Sequence, residues 1–546
     1  MLRPVSATLL LANVAFLVAC GFTLIPSDSE GGRGLFLAGV ALAHAAIAGW
    51  FLRTEGDRHP FGLLAAGTGL AAFSIAIPVW LGGPVVPVAW AAEAVALTWV
   101  ATLRRHTFSA VVATLLGLGA IAHLGLFEYP FWRIFGSDVT ARPFLNASGV
   151  TLLFILGALG VAGAISRWRE LRLVLGSVGF ALLIYAVPFE LSGIALLAAW
   201  SLIFVLAWAA DQRLDAIPGF VSRDGSEQRL DRLFGRLLVV PTAVSGGLAV
   251  LHAFVFELPL RDLTIWTQPQ TPFWTEQGAA AGILVVASLA FAAISRHAIE
   301  RHAGIVATFV VAACLMPFEL EPVPMLLAWS VLALALFALP RVIPGGLTPF
   351  IASGAALVAL SFLTTLMRVA PPSRLFVDAR QSIDHPFFWS SATATLGAVA
   401  AVLAFASWLY RGTRSSRWAS MLSGVAVVYL VSVGTVDIFQ GRVGGQVALE
   451  SLQKQAQVAL SILWTVLGVG LFVGGIIQRA RTLRIVGLAL LGLSTAKVFV
   501  YDLASLDASY RVLSFIGLGI LLLVSSWAYQ RTVAPDVRQP GETPTT

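Results

Sequence analysis

Apolar runs of roughly 17 to 23 residues follow one another along nearly the whole chain, each long enough to cross about 30 Å of hydrocarbon at 1.5 Å per residue. This succession excludes most architectures. A backbone in lipid must satisfy its own hydrogen bonds, and runs of this length do so as helices. About 18 such runs can be counted. Only 12% of the residues are charged, against 58% hydrophobic, which is about half the charge of a soluble domain. The expected fold is therefore an all-α polytopic transmembrane bundle.

The net charge of +7 would suggest nucleic acid in a soluble protein. Here most of it is arginine in short loops, which points to membrane orientation instead. The two termini and the loops after even-numbered helices hold more than twice the Lys and Arg of the loops after odd-numbered helices. Both termini are thus expected in the cytoplasm, in a bacterial cytoplasmic (inner) membrane. The acids partition the other way, which makes the outer face acidic. The cysteines, Cys20 and Cys314, lie in separate apolar runs and support neither a disulfide framework nor a thiolate metal site. Leu17-Val18-Ala19-Cys20 is compatible with a lipoprotein cleavage box. The apolar run continues through Phe22 to Ile25, however, which favours a plain first helix.

The chain repeats itself. Pro188-Phe189-Glu190-Leu191 returns 129 residues later as Pro317-Phe318-Glu319-Leu320, and Trp200 returns as Trp329. His123 to Glu128 is echoed by His252 to Glu257, and Pro143-Phe144 by Pro272-Phe273, at the same offset. Pro78-Val79-Trp80-Leu81, followed by Trp90, is an earlier version in which a tryptophan stands in place of the acid. Four helices return the chain to its starting side, so the repeats are parallel. The expected organisation is repeats at 1–105, 106–210, 233–345 and 346–480, a cytoplasmic linker at 211–232, a C-terminal hairpin at 481–531 and a polar tail at 532–546 too poor in apolar residues to fold. The fourth repeat carries Asp437 at the turn, Trp464 beyond it and an insertion around Gly441 to Ala456.

The final hairpin holds Lys497, Tyr501-Asp502-Leu503, Tyr510-Arg511, Ser514-Phe515 and a Gly517/Gly519 helix ending at Trp527 to Arg531. This order of residues, about 40 positions long, resembles the C-terminal signature of the bacterial membrane-protein family catalogued as domain of unknown function 2339. The resemblance implies many transmembrane helices and no established reaction. Many family members also carry an N-terminal coiled coil, which has no counterpart in this sequence.

Four sets of residues are candidate sites. The outer-turn acids Glu190, Glu319, Asp437 and Asp502 would either line a polar surface that binds a cation, an amine or sugar hydroxyls, or cap the start of the next helix. Lys497, Asp502, Tyr510 and Arg511 carry the family resemblance and are the first choice for a binding site, with Lys497 placed to pair with Asp502 or Asp437 or to meet an anionic headgroup. His44 and Glu93 lie about 13 and 12 Å from the outer helix ends by helical rise. A charge at that depth costs about 2.5–3.5 kcal/mol, so either an intramembrane His44/Glu93 pair or a protonated Glu93 hydrogen-bonded within the bundle is expected there. His123/Glu128 and His252/Glu257 offer a zinc or manganese donor set. Residues five apart on an α-helix sit about 140° around it, so structural packing is the favoured reading. Outer-loop aromatics such as Tyr129 to Trp132 and Trp266 to Trp274 suit a membrane interface.

No catalytic motif is present and no cofactor is implied. The expectation is a non-enzymatic membrane protein that transports or binds an envelope-derived small molecule, lipid or glycan at its acidic outer face. An enzyme acting on a lipid-linked substrate at the outer leaflet, with Glu128 and Asp138 as its candidate acids, and a scaffold for partner membrane proteins are the alternatives. The bilayer is the one partner that composition fixes.

Overall fold

The computed structural model describes residues 4–26, 30–56, 59–104, 107–133, 142–166, 169–214, 238–259, 271–343, 347–381 and 390–499, with 516 and 523. Every regular element among them is helical. The chain is a polytopic helical membrane protein: of seventeen α-helices among the described residues, sixteen are long and apolar enough to cross a bilayer. The seventeenth, Arg481–Lys497, opens with Arg481 and Arg484. The expected last helix, the tail and most of the linker lie outside the described residues.

The chain divides into two compact units, Met1–Glu319 and Leu320–Thr546. The first contains α1 (Pro4–Leu24), α2 (Glu30–Thr54), α3 (Pro60–Trp80), α4 (Val85–Arg104), α5 (Thr107–His123), α6 (Ala147–Ile165), α7 (Arg169–Glu190), α8 (Gly193–Leu214), α9 (Val239–His252), α10 (Glu276–Ile294) and α11 (Ala298–Glu319). The second contains α12 (Pro322–Ala338), α13 (Leu347–Thr364), α14 (Ser391–Leu409), α15 (Arg414–Gln440), α16 (Leu449–Ile477) and α17 (Arg481–Lys497).

Pro78, Pro188 and Pro317 lie inside the last turn of α3, α7 and α11. Proline has no N–H, so it leaves the carbonyl four residues earlier without its helical partner. A tryptophan on the next helix fills that gap: Trp90 Nε1 donates to Ser74 O at 2.9 Å, and Trp200 Nε1 to Ile184 O at 3.3 Å. Both prolines stand twelve residues before their tryptophan. The Pro…Trp spacing is thus a backbone repair that pins the α3–α4 and α7–α8 hairpins.

Among the described residues α5, α9 and α13 end in five-residue π-turns, at Leu124–Glu128, Ala253–Glu257 and Thr365–Val369, and α17 runs into π geometry at 498–499. The first two are 129 residues apart, like the sequence echoes that contain them. In the first unit the core gathers around Leu197, Trp200, Leu258 and Leu284, and around Leu124, Leu152 and Ile155. In the second, α15 and α16 exceed the length needed to cross a bilayer, and their ends hold the segment 370–381. Gln440 Nε2 donates to the carbonyls of Asp378 and Gln381, Gln453 Nε2 to Val377 O and Gln457 Nε2 to Leu375 O. Val377 packs beneath with Val436, Leu452 and Ala456.

Candidate functional site

Of the four turn acids, Glu190, Glu319 and Asp437 lie among the described residues, at helix ends but turned inward. Glu190, Glu319 and Asp437 are only 1%, 3% and 1% exposed. Glu190 Oε2 accepts from Phe144 N at 2.9 Å and Asn146 Nδ2 at 2.8 Å, while Oε1 accepts from Tyr129 O–H at 2.6 Å. Glu319 Oε2 accepts from Phe273 N at 2.8 Å, and its Oε1 takes the Thr275 hydroxyl. Asp437 Oδ2 accepts from Ser390 Oγ at 2.7 Å. Asn146, Thr275 and Ser390 are the N-caps of α6, α10 and α14. Each carboxylate therefore ties down the start of a neighbouring helix, not of the helix that follows it in sequence.

That tie explains an otherwise costly backbone. Phe144 and Phe273 have φ of 59° and 68°, a left-handed conformation worth about 1–2 kcal/mol of strain in a residue with a Cβ. The charge-assisted bond from each N–H to carboxylate offsets it. Gly149 and Gly278 leave room for the bend, since a Cβ at either would collide with the Phe144 or Phe273 backbone. Burial, then the bond to Glu190, push the Tyr129 phenol far above its ordinary range.

The π-turns rearrange the histidine and glutamate pairs. In an i→i+5 turn, residues five apart come back to the same side of the helix. His252 Nε2 lies 3.4 Å from Glu257 Oε1 and 3.2 Å from Gly193 O. Glu128 accepts from Ser148 Oγ at 2.8 Å, and His123 stands edge-on to Trp90 as His252 does to Trp200. Among the described residues no three His, Cys, Asp or Glu side chains come together as a metal set.

Lys497 donates to Gln457 O at 2.9 Å and Ser461 Oγ at 2.7 Å, joining a polar seam between α16 and α17 that includes Ser494 and Thr465. Asp502, Tyr510 and Arg511, its expected companions, lie outside the described residues, as does Asp138. Arg374, which no sequence pattern flagged, approaches Asp437 to 3.9 Å.

The intramembrane polar residues fall in different places. His44 Nδ1 bonds within its own helix to Val40 O at 2.8 Å, and its Cβ packs near Gly69. Glu93 Oε1 accepts from Ser74 Oγ at 2.8 Å, and Oε2 is buried without a hydrogen-bond partner. No bond joins His44 to Glu93 among the described residues. Ser74 instead links Glu93 to Trp90, whose indole donates to the Ser74 carbonyl. Ser74 and Trp90 both line a groove of about 420 Å³ between α3, α4 and α5. It shares Gly67, Ala71, Ile75 and Phe108 with a larger apolar groove of about 820 Å³ bounded by α1, α2 and α3. Sequence spacing singled out Glu93 but had no way to find the grooves, which are spaces between helices distant along the chain.

A family described as "Predicted membrane protein (DUF2339)" matches residues 1–532. The chain belongs to this family. The match takes in the first compact unit and the second as far as residue 532, well beyond the final hairpin that carries the signature. No curated protein and no solved structure matches the chain.

Proposed function

We propose that this protein is a bacterial inner-membrane protein, built from parallel four-helix repeats, that binds or transports an envelope-derived amphiphile in the groove along α3, without catalysing a reaction on it. The observation that carries this is the Glu93–Ser74–Trp90 cluster. Two connected grooves of about 820 and 420 Å³ fall within the usual volume of ligand sites. Their walls are almost wholly apolar, and the polar groups at Ser74 and Trp90 adjoin the one carboxylate on α4. A carboxylate oxygen buried without a partner costs more than it returns unless a donor reaches it. An apolar chain bearing an ammonium or hydroxyl group supplies both halves of that complementarity.

The outer acids support this placement indirectly, because Glu190, Glu319 and Asp437 direct their oxygens to protein donors and hold loops. A ligand role for them at the outer face requires those latches to open. The inward site requires no such step.

The test is thermal stabilisation of the purified full-length protein by a long-chain amine, compared with a fatty acid of equal length. Stabilisation by the amine that is lost in Glu93→Gln and in Ala71→Trp, a groove-filling change, is expected. Equal stabilisation of wild type and Glu93→Gln would overturn the reading.

A further inference from the structure

We infer that the α6–α7 hairpin carries a separate site for one anionic phospholipid, its acyl chain between the two helices and its phosphate on Arg172. This is independent of the α3 groove and of Glu93. A groove of about 410 Å³ runs between α6 and α7, lined by Gly160 and Gly163 on one helix and Gly176 and Gly179 on the other, with Arg172 at one end and Leu183 at the other. Eleven residues of α7 separate those ends, about 16 Å by helical rise. That is the depth of one leaflet of a bilayer whose core is about 30 Å thick.

Four glycines in helix interiors cost about 1 kcal/mol each relative to alanine. In membranes the usual return is close helix contact. Here that return is absent: a Cβ built on Gly160, Gly163 or Gly176 meets nothing within 4 Å, and one on Gly179 only grazes Leu156 at 3.9 Å. These glycines keep a space open.

The hairpin 129 residues later is closed. At the positions of Gly160, Gly163, Gly176 and Gly179 it has Leu289, Ala292, Ile305 and Thr308. There Gly304 approaches closely, with its Cβ position 2.9 Å from Ala292 Cβ and from Ser288 O, and Ser288 and Thr308 share a hydrogen bond of 2.8 Å. The arginine counterpart, Arg301, donates to the Arg296 carbonyl. Arg172 instead lines the groove mouth, beside Arg167 and Arg169 in the sequence. An apolar slot one leaflet deep that ends in a guanidinium complements a fatty chain ending in a phosphate, for which arginine is the preferred partner.

The test uses the full-length protein in mild detergent, incubated with phosphatidylglycerol or phosphatidylcholine of identical acyl chains and read by native mass spectrometry. One phosphatidylglycerol retained per chain, preferred about tenfold, is expected. Arg172→Gln should abolish the preference. Transplanting the closed hairpin's residues, Gly160→Leu, Gly163→Ala, Gly176→Ile and Gly179→Thr together, should abolish retention and raise the melting temperature. Should that graft fail to insert, Gly176→Ile alone is held to the same retention criterion. Retention unchanged by filling the groove, or a preference unchanged in Arg172→Gln, would overturn the inference. Arg301→Gln, the same change in the closed hairpin, serves as the control and should leave retention at the wild-type level.

Discussion

The indole nitrogen of Trp90 lies 2.9 Å from the carbonyl oxygen of Ser74, the acceptor that Pro78 deprives of its helical amide. Trp200 stands in the same relation to Ile184 and Pro188. A repair has a testable signature, because it should be needed only while the defect exists. Trp200→Phe should destabilise the protein by about 1–3 kcal/mol, the cost of a buried carbonyl left unpaired. In a Pro188→Ala background, where the amide is restored, the same change should cost measurably less. A double-mutant cycle on thermal unfolding in detergent reads the coupling directly. Additive effects would mean the tryptophan matters only for its bulk.

Glu190 should behave as a structural latch. Glu190→Ala removes the acceptor shared by the Phe144 amide, the Asn146 side chain and the Tyr129 hydroxyl, and a buried donor that loses its acceptor costs about 1–3 kcal/mol. Protease sensitivity near residue 142 should rise, and the melting temperature should fall by more than in Glu319→Ala, whose carboxylate holds Phe273 and Thr275 but has Leu258 where the first repeat has Tyr129. Glu190→Gln should fall between, since it keeps the shape and loses the charge assistance.

The Tyr129–Glu190 bond also fixes a pH dependence. The Tyr129 phenol, just beyond the span that ends at Glu128, is raised by burial and by its carboxylate partner. Above pH 10, where an unfolded tyrosine loses its proton, the folded state binds more protons than the unfolded one, so stability falls as pH rises. Below pH 10 this contribution is fully present and flat. Tyr129→Phe should therefore shallow the alkaline decline, as measured by melting temperature between pH 8 and 11.

How much of this was legible in the sequence differs from residue to residue. The helices followed from apolar run length alone, because in lipid nothing competes with intrahelical hydrogen bonding. The Pro188–Trp200 spacing was visible as a pattern, but its cause was hidden until the freed carbonyl of Ile184 was located. A regular α-pitch sets His252 and Glu257 about 140° apart, and the π-turn at Ala253–Glu257 brings them back together. The direction in which Glu190 turns is set by the left-handed Phe144 and the cap at Asn146, from a helix 44 residues earlier in the chain, which local spacing cannot encode. Gln440, Gln453 and Gln457 match no motif, because what unites them is the carbonyl-rich segment they hold.

Lys497 supplies the last prediction, and it separates a structural cation from a ligand-binding one. Its ammonium donates to Gln457 O and Ser461 Oγ across the α16–α17 hairpin. The same two helices approach so closely that a Cβ on Gly487 would lie 2.5 Å from Phe472 N. If the lysine serves as a clasp, Lys497→Met keeps the stem, loses the bonds to Gln457 O and Ser461 Oγ, each worth about 1.5–3 kcal/mol for a charged donor, and lowers the melting temperature. Gly487→Ala, which forces the backbones apart, should reproduce that loss in larger measure. Complementation of a deletion strain should then track melting temperature across both variants. A Lys497→Met protein with wild-type stability and no complementation would place the ammonium in ligand binding instead, because only a group whose work lies outside the fold can be removed without loosening it.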